Sequence, residues 1–328
     1  MDHRVTHAIV LRAPGGPKNL LWEEVAVPAP GPGELRIRHT AIGVNFHDTY
    51  VRSGLYKTLP LPGTPGLEAA AVVEDIGPGV TGFKPGDRIV YIDKSYGAYA
   101  EQRVLPAALA LHLPNAISDE AAAALALKGM TVCMLVHHVH KVASGQTVLV
   151  HAAAGGVGQP LTRWAKHLGA TVIATVGSTA KAEIARACGA DHVILYRDES
   201  FVDKVRAITG GKGVDVAYDS VGKDTFGGSI ECLSVLGHLV NFGQASGPVA
   251  PMNVSVLAAK SNSISRPMLF HYIRDRSSLE SIMAETVKVI AAGVIKTEVG
   301  LRLPLKDAGE AHRALERRET SGALVLLP

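Results

Sequence analysis

The chain has 328 residues, of which 47% are hydrophobic and 19% charged, and a formal net charge of +3 at pH 7. This composition is typical of a folded globular protein and excludes a disordered one. The charge is too small to favour nucleic-acid binding, and no apolar run approaches the roughly 20 residues of a membrane-spanning helix. The opening MDHRVTHAIVLRAP lacks a signal-peptide core, and three scattered cysteines argue against a disulfide framework. We expect a cytoplasmic protein with neither nucleic acid nor membrane as a partner.

Up to about Ser118 the sequence is rich in proline and glycine and predicts short strands joined by turns. Alternating runs at 34–38, 69–76 and 88–91 stand next to turn signals such as PAPGPG, GPG and KPGD. Runs of this kind, punctuated by turn residues, predict a small β-rich domain with barrel character.

From Ser118 onward, helix-like and strand-like segments alternate. The stretch SDEAAAALAL has an acidic first turn after a serine, which is a helix-start signal. Apolar runs that alternate with helices predict a parallel sheet covered on both faces. A helix near 278–292 follows, and the final SGALVLLP predicts a strand that returns to the first domain. The strands predicted for the parallel sheet are 147–151, 171–176, 192–195, 214–219 and 238–242.

A glycine cluster lies between the first of these strands and the next helix. In dinucleotide-binding folds, glycines at this place allow a tight turn, close approach of the pyrophosphate and close helix packing. The slots of the G-x-G-x-x-G pattern hold alanine, glycine and glycine. We predict a nucleotide cradle, with an ordinary structural turn as the alternative. Its residues are Ala153, Gly155, Gly156, Val157 and Gly158.

The end of the second strand indicates which dinucleotide is bound. An NAD site usually places an acidic residue there to hold the ribose hydroxyls. Here the strand runs into Gly177, Ser178 and Lys181, with no acidic residue before Glu183. A small residue, a hydroxyl and a cation suit a 2′-phosphate, which a carboxylate would repel. We predict NADPH as the cofactor; the alternative is that Lys181 is a solvated lysine at a helix start.

Several segments together resemble the zinc-free quinone oxidoreductases, the ζ-crystallin-like branch of the medium-chain dehydrogenase/reductases. The resemblance covers essentially the whole chain. It implies an α/β protein with a GroES-like β-barrel catalytic domain (1–124 with 267–328) and a Rossmann doubly wound parallel sheet (125–266), with NADPH between them. The segments that carry it are GVNFHDTYVRSGLY (43–56), GLEAAAVVEDIGPGV (66–80), GDRIVY (86–91), AAAGGVGQ (152–159) and GVDVAYDSVG (213–222).

Related enzymes that oxidise alcohols use a catalytic zinc, and the resemblance allows its ligands to be sought here. The position of their first cysteine ligand holds Asn45, and the histidine of their GHE segment is Leu67, so only Glu68 remains. Catalytic zinc needs about three protein ligands. The HHVH segment offers His137 and His140 without a third ligand. We therefore expect no metal.

The resemblance places the polar groups of the catalytic site in segment 45–56, which holds Asn45, Tyr50, Arg52 and Tyr56. A tyrosine is a neutral hydrogen-bond donor at pH 7, and its ring can stack on a flat quinone. The alternative is that both tyrosines pack between strands. The resemblance favours the site, with Asn45 and Tyr50 nearest the nicotinamide.

Further cofactor contacts are expected at three places. The resemblance implies that Tyr196 borders the adenosine phosphate and that Arg318, or its neighbour Arg317, reaches the 2′-phosphate; a charged helix end is the alternative. Open α/β sheets bind ligands at the carboxyl ends of their strands. The residues Ser220, Phe242 and Gly243 should therefore border the nicotinamide, although Phe242 is also a candidate core residue.

The sequence therefore favours an NADPH-dependent quinone reductase that uses Asn45 and Tyr50 to polarise the quinone oxygen. A reductase of enones or enals is the near alternative, since the same donors would stabilise an enolate. A non-catalytic, crystallin-like NADPH-binding protein is the alternative of another class. The resemblance also implies a homo-oligomer, which we expect to be a homodimer.

Overall fold

The computed structural model describes residues 4–296 and 298–328. In chain order the strands are β1 (Arg4–Leu11), β2 (Leu20–Val27), β3 (Glu34–Val44), β4 (Glu68–Ile76), β5 (Arg88–Ile92), β6 (Gln102–Pro106), β7 (Ala110–His112), β8 (Thr147–Val150), β9 (Thr171–Val176), β10 (His192–Leu195), β11 (Val214–Asp219), β12 (Leu233–Asn241), β13 (Ser263–Ser265), β14 (Val299–Pro304) and β15 (Ala323–Leu327). The helices are α1 (Phe46–Ser53), α2 (Asp119–Cys133), α3 (Gly158–His167), α4 (Thr179–Ala187), α5 (Phe201–Ile208), α6 (Phe226–Glu231), α7 (Leu269–Tyr272), α8 (Arg276–Ala291) and α9 (Ala308–Glu316).

These elements form two compact units, Met1–Leu127 with Thr297–Pro328 and Lys128–Lys296. The first unit is built on a mainly antiparallel sheet of order β14-β15-β3-β4-β5-β7, with β6 also paired to β3. Strand β15 pairs antiparallel with β3, so the C-terminal strand returns to the first unit as predicted. The core of the first unit is formed by alternating inward-facing residues such as Leu35 and Ile37, which are fully buried.

The second unit is a parallel sheet of order β10-β9-β8-β11-β12-β13. The strand order reverses between β8 and β11, which is where ligands bind in an open α/β sheet. The sequence predicts the bounds of β9, β10 and β11 correctly. Strand β12 begins earlier than predicted, because Leu233 pairs with Val214 before a register shift. Leu236, at φ 63°, interrupts the extended backbone between the first paired residue, Leu233, and the paired run that starts at His238.

The boundary between the units differs from the predicted one. The prediction grouped residues 267–296 with the barrel, whereas the structure groups them with the parallel-sheet unit. Helix α8 packs closely on α2, since a Cβ added at Gly129 would lie 2.6 Å from Cγ2 of Thr286. The absent side chain of Gly129 allows this approach, which is a tertiary contact that local sequence patterns do not reveal.

The helical segment Asp119–Val139 is long and apolar enough to cross a membrane by length and composition alone. Most of it is buried inside the protein, with Leu125, Val132 and Leu135 at 3% exposure or less. Core helices of soluble proteins have the same composition, so its hydrophobicity is explained by packing.

Burial of His39 in the first unit predicts acid sensitivity. Its Nδ1 donates to the carbonyl of Ala100, and its Nε2 accepts from the Tyr91 hydroxyl at 2.7 Å. Burial lowers the pKa of His39 from 6.5 to about 3. Between these values the unfolded chain binds a proton that the folded chain does not. The free energy of unfolding should therefore fall as the pH drops below 6.5, by up to about 1.4 kcal/mol per pH unit.

Urea denaturation at about pH 7 and about pH 5 checks this expectation. In His39→Gln the dependence of unfolding free energy on pH should be shallower than in the unmodified chain. Equal slopes would show that His39 does not contribute to acid sensitivity.

Candidate functional site

The glycine cluster forms a tight turn between β8 and α3. Ala152 adopts a left-handed conformation with φ 52°, and its carbonyl accepts the N–H of Gly155 at 2.9 Å. The N–H of Ala153 donates to the backbone carbonyl of Thr175 on the neighbouring strand β9. A Cβ at Gly158 would lie 2.2 Å from the Ala152 carbonyl oxygen, so the helix start rests directly on the turn. The third slot of the pattern therefore requires glycine.

This turn leaves little side-chain bulk at the start of α3. Gly155, Gly156 and Val157 are partly exposed, whereas Ala153 and Gly158 are buried. The first N–H groups of a helix have no intrahelical partner and carry a partial positive charge, which suits an anion. The five residues predicted for the cradle thus come together around a helix start.

A residue that sequence reasoning missed braces this turn. The buried side chain of Gln159 donates from Nε2 to the Ala154 carbonyl at 2.9 Å. The signal was available, since a polar residue directly after the last glycine of the pattern falls in the first helical turn.

Four predicted residues lie close together at the end of β9: Gly177, Ser178 and Lys181 follow β9 itself, and Tyr196 follows β10. A Cβ at Gly177 would lie 2.8 Å from the Tyr196 hydroxyl, so that ring lies against the glycine. Ser178 caps α4, with its Oγ accepting the N–H of Lys181 at 3.4 Å. Arg197 was missed by the prediction, although its Nε would be 3.3 Å from the same Cβ. An arginine two residues after the third strand was the signal for it.

The carboxyl ends of β11 and β12 also converge. A Cβ at Gly243 would lie 2.5 Å from the Ser220 carbonyl oxygen. The N–H of Phe242 donates to the backbone carbonyl of Asp219 at 2.8 Å. Phe242 is only half-buried, which does not favour its interpretation as a core residue. The three residues predicted to border a nicotinamide are therefore brought together.

Asp219 shapes this edge and was not predicted. It is fully buried at the end of β11, and its Oδ1 accepts the N–H groups of Val221 and Gly222 at 2.8 and 3.0 Å. The hydroxyl of Thr225 donates to both carboxylate oxygens at 2.9 Å. An aspartate followed by Ser-Val-Gly after a buried strand is typical of a side-chain-capped turn, and this signal could have identified it.

Asn45 in the first unit is held by its neighbours. It precedes α1, and its N–H donates to Oδ2 of Asp48 at 2.8 Å. Its side-chain Nδ2 donates to Oε1 of Glu68 at 2.9 Å, while Oε2 of Glu68 accepts the N–H of Leu127 at 2.6 Å. Because both oxygens of the fully buried Glu68 accept N–H groups, Glu68 faces the Nδ2 of Asn45 and fixes the orientation of this amide.

The predicted tyrosines belong to an aromatic cluster. The rings of Tyr50 and Tyr56 lie edge to face at 5.2 Å, and His47 lies at the same distance from Tyr56. Nε2 of His47 is 3.1 Å from the hydroxyl of Tyr96. Burial lowers the pKa of His47 to about 4, so the ring is neutral at pH 7. Both tyrosines are half-buried, which leaves part of each side chain accessible.

The structure does not place Arg52 with these groups. Its side chain is 3% exposed and forms an ion pair with Glu316. Nε donates to the Gly15 carbonyl at 3.0 Å, and Nη1 lies 3.4 Å from Nδ1 of His312. The assignment of Arg52 to the catalytic group is therefore corrected: on an amphipathic helix, its side chain faces α9 rather than solvent. Arg318 is exposed in the first unit, and its contact with a 2′-phosphate stays a prediction.

Within residues 4–296 and 298–328, no group of three or more histidine, cysteine, aspartate or glutamate side chains could hold a metal ion. At the two positions where zinc ligands would be expected, Leu67 is buried in the core and Asn45 donates to Glu68. In the HHVH segment, His137 packs edge-on against Trp164 at 5.3 Å.

Comparison with protein families gives two matches. A family described as the alcohol dehydrogenase GroES-like domain matches residues 31–115, and one described as zinc-binding dehydrogenase matches residues 156–287. The first lies in the β-rich unit and the second in the parallel-sheet unit.

Curated relatives align along nearly the whole chain. The chain is 46% identical to a 2-haloacrylate reductase of Burkholderia sp, with 98% of each chain covered. It is 45% identical to quinone oxidoreductase 1 of Escherichia coli strain K12, with 96% of this chain and 97% of the relative covered.

Solved structures are similar over the same extent. Escherichia coli quinone oxidoreductase complexed with NADPH superposes with a TM-score of 0.95 at 44% identity, covering 99% of this chain and all of that one. A mycobacterial protein complexed with NADPH gives a TM-score of 0.94 at 46% identity, covering 98% of this chain and 100% of that one.

Proposed function

Because this chain belongs to the quinone oxidoreductase family of the medium-chain dehydrogenase/reductases, we propose that it is an NADPH-dependent quinone reductase. Its α/β fold, with a GroES-like domain and a Rossmann domain, is the fold of NADPH-bound relatives. The observation that carries the proposal is the turn before α3, where Gly158 lies directly on the Ala152 carbonyl at the strand-order reversal.

The residues present fit NADPH. The small side chains of Gly155 and Gly156 leave the helix start open for a pyrophosphate, because nothing larger than a hydrogen projects from them. Beside β9, the Ser178 hydroxyl and the Lys181 ammonium would hold the 2′-phosphate, with Tyr196 at the border.

When bound, NADPH supplies a hydride, which together with one proton reduces a quinone to a hydroquinone and leaves NADP⁺. The protein then has to orient the acceptor and stabilise the charge on its oxygen. Tyr50 and Tyr56 carry hydroxyl groups that can donate a hydrogen bond to that oxygen. Because one side-chain N–H of Asn45 is bound to Glu68 and its side-chain oxygen faces the N–H of Asp48 in a capping box, its other N–H is the group that would contact a ligand.

A reductase of conjugated carbonyl compounds is the second candidate. The 46% identical relative is named for its action on a 2-haloacrylate, which contains a conjugated double bond. The donors that would polarise a quinone oxygen would equally stabilise an enolate. A third candidate is an NADPH-binding protein without turnover, which would have the same cradle. NADPH oxidation with a panel of acceptors distinguishes it from the two reductases.

We infer that the activity is independent of zinc and that the protein is cytoplasmic. Asn45 and Leu67 stand where the zinc-dependent relatives are expected to have ligands, and neither can replace a cysteine thiolate or a histidine. Cytoplasmic location is supported by the cysteines, since Cys133, Cys188 and Cys232 are buried and form no disulfide with one another.

We also propose a homodimer that uses the second unit. Val235 and Leu236 at the start of β12 are 70% and 74% exposed, and Val254 and Val256 are 72% and 51% exposed. The two segments meet near Lys260, whose carbonyl accepts the N–H of Leu236 at 2.7 Å. Apolar side chains exposed together in one area, unlike single scattered ones, mark interaction surfaces.

The decisive assay follows NADPH oxidation with benzoquinone, naphthoquinone and 2-alkenals as acceptors. We expect the quinones to give the highest kcat/KM. Turnover of the alkenals alone would favour the second candidate. Tight NADPH binding without oxidation by any acceptor would instead support a non-catalytic protein.

A further inference from the structure

The second unit contains a cavity of about 460 Å³ in the segment between β13 and α8. This volume lies within the usual range for small-molecule sites, about 300–1,000 Å³. The residues that line it include Arg266, Met268, His271, Tyr272 and Arg274.

Arg266 of the cavity wall is hydrogen-bonded to the carboxyl end of β12, where ligands are expected. Nη1 of Arg266 donates to the carbonyl of Asn241 at 3.0 Å and to that of Gly243 at 3.1 Å. Asn241 in turn donates from Nδ2 to the carbonyl of Asp219 at 3.3 Å. The cavity therefore adjoins the carboxyl end of β12, where Gly243 is proposed to border the nicotinamide.

The chemical character of the wall is cationic with apolar surfaces. Arg266 and Arg274 contribute permanent positive charges, and the Arg274 side chain is 81% exposed. Met268 and Tyr272 offer a thioether and an aromatic ring, which suit a flat conjugated molecule.

One carboxylate lies close to this wall. Oδ2 of Asp275 is 3.7 Å from Nε of Arg274, beyond hydrogen-bond distance. The other oxygen of Asp275 accepts the N–H of Ser278 at 2.9 Å and caps α8. Two arginines against this one carboxylate leave the wall with an excess of positive charge.

We propose that this cavity receives an anionic substituent of the acceptor, such as a carboxylate or sulfonate, and that Arg274, supported by Arg266, recognises it. The inference rests on the proposed function and specifies its substrate class as acidic conjugated acceptors. Charge-assisted hydrogen bonds from a guanidinium to such a group are stronger than neutral ones. Because Arg274 is exposed, salt should weaken the preference.

The test compares 1,4-naphthoquinone with 1,4-naphthoquinone-2-sulfonate and reports the ratio of their kcat/KM values. Arg274→Gln should lower the sulfonate-to-parent ratio about 5-fold relative to the unmodified chain, and Arg274→Lys should restore most of it. Arg276→Gln is the matched control, because Arg276 lies two residues away and pairs with Glu280. It should leave the ratio unchanged. Raising the salt concentration should reduce the ratio in the unmodified chain and not in Arg274→Gln.

An unchanged ratio in Arg274→Gln, or an equal fall in Arg276→Gln, would overturn the assignment of the cavity while leaving the reductase activity in place. Absence of NADPH oxidation with either compound in the unmodified chain would instead overturn the proposed function, and the substrate class with it.

Discussion

Replacing Gly158 by alanine should raise the Kd for NADPH more than about 10-fold and destabilise the second unit by about 1–3 kcal/mol. The added Cβ would lie 2.2 Å from the Ala152 carbonyl oxygen and 2.7 Å from the Ala153 Cα. Both are backbone atoms, so the contact is relieved only by moving the turn or the start of α3. Either movement displaces the N–H groups that are proposed to hold the pyrophosphate.

Fluorescence titration with NADPH and urea denaturation measure the two effects. Gly227→Ala is the matched control, since it is a helical glycine of the same unit whose added Cβ would have no atom within 4 Å. It should bind NADPH normally and be no less stable, because alanine favours helix. Normal NADPH affinity in Gly158→Ala would contradict the cradle.

Replacing Asn45 by aspartate should destabilise the first unit by about 3 kcal/mol and abolish most of the reductase activity. The change preserves the shape of the side chain but replaces the donor that contacts Glu68 at 2.9 Å with a second acceptor. Glu68 is fully buried, so two carboxylates would face each other without solvent.

The variant Asn45→Asp with Glu68→Gln tests whether this contact is the cause. The glutamine amide can donate to the new carboxylate, while its carbonyl oxygen accepts the N–H of Leu127 in place of Oε2 of Glu68. Urea denaturation should show that the double variant regains most of the lost stability, with a coupling energy above about 1 kcal/mol. Additive losses in the double variant would show that Glu68 does not hold Asn45.

Much of the parallel sheet could be predicted from the sequence, because its inner strands are buried on both faces. Continuous apolar runs therefore marked β9 and β11 at their observed bounds, and a short apolar run marked the edge strand β10, which is only partly buried. The cradle could also be predicted, since a strand, a glycine pattern and a helix follow one another within a short segment. For Gly158 the structure supplies the physical reason, which is contact with backbone.

Residues that depend on tertiary contacts were not predictable in this way. Tyr96 contacts His47 although the two residues are about fifty positions apart in the sequence. No local sequence pattern predicts such a contact. Arg52 resembled a site residue because it shares a segment with Tyr50, but its helix face turns it toward Glu316 on α9. The grouping of α8 with the second unit likewise depends on Thr286 packing against a glycine of α2.

The most direct test of the account compares NADPH with NADH as the electron donor in the unmodified chain and in Lys181→Ala. We predict that the unmodified chain prefers NADPH and that the substitution lowers this preference about 10-fold, because the 2′-phosphate loses a cationic partner. Equal kcat/KM for the two donors in the unmodified chain would contradict the account.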